Sequence, residues 1–300
     1  MEIYTPSHAW AISSRWNLSV APNGNGFYVS PMTTGIFIRI AVYGGGVYLF
    51  LNLLALFVSD KLLFQPRSRG YSHLPNEVKI RTADGELINA VYHGNPSAEY
   101  TLLFSHGNAE DLGNVEPFMR QFHALGYSVL MYDYRGYGTS EGRPSYRKIL
   151  DDAASAYRWL VEEKKTAPQR IIAHGRSLGG AVAVWTAAHH EVGGLIVESS
   201  FTSAFRVKTI VPLLPWDKFN SVKSMRKVDC PVLVMHGTHD AVLPFWHGKA
   251  LYEAAPEPKQ HLWIDYGEHN NYAYVAEDAY FTSFHSFMER VSEYHSTRAE

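Results

Sequence analysis

The 300-residue chain is 46% hydrophobic and 19% charged, with a formal net charge of −2 and one cysteine. That length suits one large α/β domain plus an appendage. The charge argues against a nucleic-acid partner, and the lone Cys230 excludes an intrachain disulfide and a cysteine-built metal site.

Residues 1–35 are polar, dotted with aromatics and rich in Gly, Pro, Ser and Asn without a period, so a poorly ordered tail is expected. They contain a formal glycosylation triplet, Asn17-Leu18-Ser19, and Met32 stands as an alternative start. The run IAVYGGGVYLFLNLLALFV follows, Ile40 to Val58, uncharged throughout and flanked by Arg39 and by Asp60 with Lys61. As a helix these 19 residues span ~29 Å, the thickness of a bilayer's hydrocarbon core. A single-pass membrane anchor over 36–64 is therefore expected, with membrane lipid as its partner through residues 40–58. The Gly44-Gly45-Gly46 run and Asn52 weaken such a span without forbidding it. No A-x-A pattern follows, which argues against a cleaved signal peptide. Lys61, Arg67 and Arg69 after the span, against Arg39 before it, lean towards a cytoplasmic C-terminal domain.

From Tyr71 short apolar runs alternate with amphipathic stretches. EVKIRTADGELINAVYH reads as a hairpin turning at Asp84-Gly85. Residues 100–105, 127–133, 170–175, 194–199, 231–237 and 260–266 read as strands. Helices are expected over Val115 to Leu125, Tyr146 to Glu163, Ser177 to His189, Trp246 to Ala254 and Ala273 to Val291. Near-continuous apolar strands separated by helices predict an α/β fold over 71–295, a mostly parallel eight-stranded sheet covered on both faces. Ligands of such sheets sit beyond the carboxyl ends of the strands. There SHGN, DYRGYG, HGRSLGG, HGTHD and YGEH gather Ser, His and Asp from distant parts of the chain.

Gly175-Arg176-Ser177-Leu178-Gly179 is G-x-S-x-G between a strand and a helix. The bland alternative is a glycine-rich turn in which the serine caps a helix. On a sharp elbow, instead, Ser177 projects its hydroxyl into the cleft, and a side chain two positions either way would collide with the neighbouring strand or the new helix. A serine nucleophile needs a base, and the base an orienting acid. His269 follows the last strand and Asp240 the one before it, each also readable alone as a loop residue. His239 and Glu268 compete with them, and Glu198 is a reserve acid. The oxyanion of an acyl intermediate needs two amides. Leu178 N–H supplies one and the loop His106-Gly107-Asn108 the other, through Asn108 N–H or its neighbour Ala109.

The combination FSHGNAED, YDYRGYGTSEG, GRSLGG, HGTHD and the His269 loop resembles the serine hydrolases of the α/β-hydrolase superfamily. More narrowly it is similar to the small membrane-associated branch that includes protein depalmitoylases and related lipid esterases, over Tyr71 to Val291. That resemblance implies Ser177, Asp240 and His269 as the catalytic triad, and Asp133, Arg135 and Gly136 as a structural turn near the cleft. The chain departs from the branch at its N-terminus, where an apolar span replaces an acylated cysteine cluster. Residues 201–228 are too short for a full cap domain and read as a short lid; Ile210, Val211, Leu213, Leu214 and Trp216 there line an acyl groove or pack on the core. The expected function is hydrolysis of carboxylic esters or thioesters through an acyl-enzyme. A serine peptidase of the same fold and a non-catalytic binding protein are the alternatives. No cofactor is expected, for want of a phosphate loop or nucleotide fingerprint. His236-Gly-Thr-His239-Asp240 invites a metal, but no HExxH pair accompanies it, so no metal site is expected.

Overall fold

The computed structural model of the chain describes residues 19–20, 27–28, 31–67, 69–209 and 211–298. The expected tail therefore lies largely outside the described residues, Asn17 included. What is described of it is a two-residue antiparallel ladder, Ser19–Val20 with Phe27–Tyr28, and the first turn of a helix. The chain divides into two compact units, Met1–Val58 and Ser59–Glu300.

In the first unit the dominant element is α1 (Pro31–Leu63), whose last turn belongs to the second. It runs unbroken through the three glycines and through Asn52, which turns its amide inward to donate to Tyr48 O at 2.9 Å. That bond satisfies an amide N–H within the helix, while Asn52 Oδ1 has no hydrogen-bond partner among the described residues. Over Thr34–Leu63 the helix is long and apolar enough to cross a membrane, and 6% of its most apolar stretch is buried. Phe57 is 81% exposed and Tyr43 73%, so within this chain the helix leaves its apolar side chains uncovered.

The second unit is built on an eight-stranded sheet: β1 (Glu77–Arg81), β2 (Leu87–His93), β3 (Thr101–Ser105), β4 (Ser128–Tyr132), β5 (Ile171–Arg176), β6 (Gly194–Glu198), β7 (Val232–Gly237) and β8 (Lys259–Ile264). The spatial order is β8-β7-β6-β5-β3-β4-β2-β1, parallel except for β2, which is antiparallel to both its neighbours. Burial on both faces explains the continuous apolar runs: β3, β4 and β6 are buried at every position. Successive side chains alternate between two cores. Leu102, Phe104, Ile172, Leu233 and Met235 pack with α2 (Leu112–Ala124) and α8 (Glu277–Arg298). Leu103, Ala173, Val232 and Val234 pack with α3 (Tyr146–Glu162), α4 (Leu178–His189), α5 (Ser221–Met225) and α6 (Trp246–Ala254).

The last helical stretch departs from expectation. A short α7 (Tyr272–Val275) precedes α8 with a break at Ala276, and α8 continues past Val291 to Arg298, where His295 Nε2 bonds Gly193 O at 2.9 Å. Register aligns the strand ends that matter: Ser105 pairs with Gly175, Gly175 with Val197, and Glu198 with Met235. The loops after β3, β5, β6, β7 and β8 therefore emerge along one edge.

The turn after β4 is fixed by buried charge. Asp133, fully buried, accepts from Tyr71 Oη at 2.5 Å and Leu112 N at 3.0 Å. Arg135, also fully buried, reaches Asp152 Oδ1 through Nε at 2.5 Å and Asp151 through Nη2 at 2.7 Å, while Nη1 meets Asp84 and Glu86 of the β1–β2 turn.

Candidate active site

β5 ends at Arg176 and α4 begins at Leu178, so Ser177 alone makes the turn, at φ 56° and ψ −118°. A non-glycine residue holds that conformation only under strain. Its two flanking glycines have a steric reason. A Cβ on Gly179 would stand 1.9 Å from Ser105 O, and one on Gly175 would stand 2.1 Å from Gly179 O. Both obstacles are backbone atoms that cannot swing away. Ser177 N–H donates to Glu198 O at 2.9 Å, which ties the elbow to β6.

Ser177 Oγ lies 3.1 Å from His269 Nε2, and His269 Nδ1 lies 2.7 Å from Asp240 Oδ2. The second oxygen of Asp240 accepts the N–H groups of Val242 at 2.9 Å and Leu243 at 2.7 Å. Burial pushes the Asp240 carboxyl up, but the bonds from His269 and Leu243 outweigh it and hold the group below the usual carboxylate range. An ionised Asp240 accepts a hydrogen bond from Nδ1–H, which keeps the proton on Nδ1 and leaves Nε2 free to accept from the serine hydroxyl. His236 buttresses the same loop, its Nε2 bonded to Leu243 O at 2.8 Å; burial keeps its pKa below the ordinary histidine value.

The competing residues are occupied elsewhere. His239 stacks on Tyr266 at 4.9 Å, and Glu268 is exposed, its N–H donating to Asn271 Oδ1 at 2.8 Å. Glu198 is 1% exposed, and its Oε1 meets His174 Nε2 at 2.6 Å and the Tyr280 hydroxyl behind the elbow. His236 Nε2 also lies 3.5 Å from Asp240 Oδ2.

The loop after β3 closes the other side. A Cβ on Gly107 would lie 3.7 Å from Ser177 Cβ, so this loop rests against the elbow. Leu178 provides the first amide of α4. Among the described residues no group accepts the N–H of Asn108, Ala109 or Leu178. Free amides at a helix start beside a hydroxyl and an imidazole can receive an anionic oxygen. Sequence reasoning missed the ion pair that spans the loop and the elbow: Glu110 pairs with Arg176 and also accepts Gly107 N–H at 2.7 Å. Opposite charges flanking the two motifs were the available signal.

The 201–228 segment carries a 3-10 turn, Phe205–Val207, and the short α5, whose N-cap Asn220 accepts from Lys223 N. It forms a pocket of about 680 Å³ lined by Arg206, Leu213, Leu214, Trp216 and Trp246. Ser177, Asp240 and His269 do not line it, so three of the residues named for an acyl groove line a neighbouring hollow. Val211 is 59% exposed, and Ile210 lies outside the described residues.

Comparison with known proteins gives four findings. The family described as serine aminopeptidase, S33, matches residues 96–221, a span that includes the elbow and stops short of Asp240 and His269. The α/β-hydrolase domain-containing protein 17B of Homo sapiens is 36% identical over 199 residues, covering 64% of this chain and 68% of that protein. The α/β-hydrolase domain-containing protein aho-3 of Caenorhabditis elegans is 37% identical over 198 residues, covering 65% of this chain but only 59% of the nematode protein. Among solved structures, an esterase of Pyrococcus furiosus, Pf2001, superposes with a TM-score of 0.64 at 19% identity over 76% of this chain and 98% of its own. At that identity it is evidence of fold.

Proposed function

The chain belongs to the α/β-hydrolase family of serine hydrolases, beside the domain-containing proteins 17B, and from that premise we propose that it is a membrane-anchored hydrolase of carboxylic esters or thioesters. The observation that carries the chemistry is the hydrogen-bonded series from Ser177 Oγ to His269 to Asp240. His269 Nε2 takes the hydroxyl proton as Oγ attacks the acyl carbonyl. Asp240 stabilises the imidazolium, and the developing oxyanion is received by the amides of Leu178 and Asn108. His269 then hands its proton to the leaving alcohol or thiol. The acyl group stays on Ser177 until a water, deprotonated by the same imidazole, releases it as the acid and restores the hydroxyl.

Acyl lipids or acylated proteins at a membrane are the substrates that fit the surroundings. α1 has the length and apolarity of a span. Val211, Leu213, Val242, Tyr266, Tyr274 and Val275, each more than half exposed, all lie in segments that follow β6, β7 and β8 at the edge where Ser177 stands. The match to the serine aminopeptidase family supports peptide hydrolysis as the second reading; faster turnover of amides than of matched esters would favour it.

A fluorophosphonate probe on the full chain in detergent tests the nucleophile. Labelling is expected on Ser177 and absent from Ser177→Ala. Labelling at another residue, or none on the parent, overturns the proposal.

A further inference from the structure

The side chain of Asn108, on the loop that rests against the elbow, is tied to the segment leaving α1. Its Nδ2 donates to Leu63 O at 2.7 Å, and its Oδ1 accepts Gln65 N–H at 3.2 Å and the Tyr137 hydroxyl at 2.7 Å. Tyr137 is 1% exposed and held by ring contacts to Tyr134 and His106. The α1 exit is itself gripped by the segment after β6 and by the start of α3. Asp60 Oδ1 takes Lys218 Nζ at 2.6 Å and Tyr146 N–H at 3.2 Å, and Phe64 packs edge-on against Phe219 at 6.2 Å.

We propose that Ser59 to Gln65 is a working part of the active site: this exit segment, with Tyr137, positions the oxyanion loop by locking the Asn108 side chain. The inference rests on the catalytic reading above. An amide N–H points where its own residue's backbone torsions put it. Three hydrogen bonds converging on one short side chain hold that Cβ from two directions, so the 107–108 peptide cannot turn without breaking one of them. Nothing in this arrangement touches the reacting carbonyl; Tyr137 and the Leu63 carbonyl act through Asn108. Two of these three bonds come from the segment leaving α1, so catalysis is tied to where residues 63–65 lie.

The test uses the full chain in detergent with Tyr137→Phe, Asn108→Ala and Asn108→Asp, all of which retain the Asn108 N–H. The readouts are kcat, KM, melting temperature and affinity for an alkyl trifluoromethyl ketone, which Ser177 Oγ converts to a hemiketal oxyanion as its proton moves to His269. Tyr137→Phe is expected to lower kcat about tenfold and Asn108→Ala about a hundredfold, the range for a displaced or lost oxyanion donor. Asn108→Asp, which keeps both accepted bonds and loses the donation to Leu63, falls between. KM stays within about twofold, and ketone affinity drops in step with kcat at an unchanged melting temperature. Asn108→Ala with kcat within twofold of the parent overturns the proposal. So does a kcat loss that follows a lowered melting temperature while ketone affinity holds. A parent that hydrolyses no ester and takes no fluorophosphonate removes the catalytic reading first, and this inference with it.

Discussion

Ser177 pays in backbone strain for the position of its hydroxyl. At φ 56° and ψ −118° a non-glycine residue stores about 1–3 kcal/mol. Glycine removes the strain and gives back part of it as unfolded-state freedom. Ser177→Gly is therefore expected to be inactive yet more stable than the parent by about 1 kcal/mol in urea denaturation. Equal or lower stability contradicts the strained elbow. The motif was legible because it breaks local rules: two glycines two residues either side of a serine make little sense inside a strand or a helix. Asp240 and His269 were legible from their places after consecutive strands. The bonds from Asn108 to Leu63 and Tyr137 were not, because residues 45 and 29 positions apart in the chain leave no periodic trace.

At the scale of elements, the sheet was readable because strands buried on both faces are written as unbroken apolar runs, and the hairpin because Asp84-Gly85 punctuates alternating residues. The break at Ala276 was not, since Ala273 to Val291 keeps one apolar stripe and alanine breaks nothing. Nor was the length of α8, whose last turns are polar. Arg135 shows how the elements are joined: it pairs with Asp151 and Asp152 on α3 while gripping Asp84 and Glu86 of the β1–β2 turn. Asp152 is fully buried, so Arg135→Ala strands its carboxylate and should cost about 3–5 kcal/mol. Chemical denaturation at neutral pH measures this; a loss below about 1 kcal/mol, the size of an exposed pair, places the network among surface ion pairs.

At the scale of the molecule, the proposed anchor rests on the composition and exposure of α1. Among its described residues the helix from Pro31 to Val58 has one formally charged side chain, Arg39, and leaves its apolar residues uncovered. The full chain should stay with membranes through a sodium carbonate wash, and Leu49→Arg with Leu53→Arg should release it, at about 3 kcal/mol per arginine near a span's centre. Release of the unaltered chain contradicts the anchor. The central claim is the chemistry, and hydrolysis of p-nitrophenyl esters from acetyl to palmitoyl by the parent and by Ser177→Ala tests it most directly. The expected result is turnover by the parent, with a chain-length preference that sizes the acyl site, and a loss of at least about a thousandfold in the mutant. Equal turnover by both proteins, or none by either, contradicts the account.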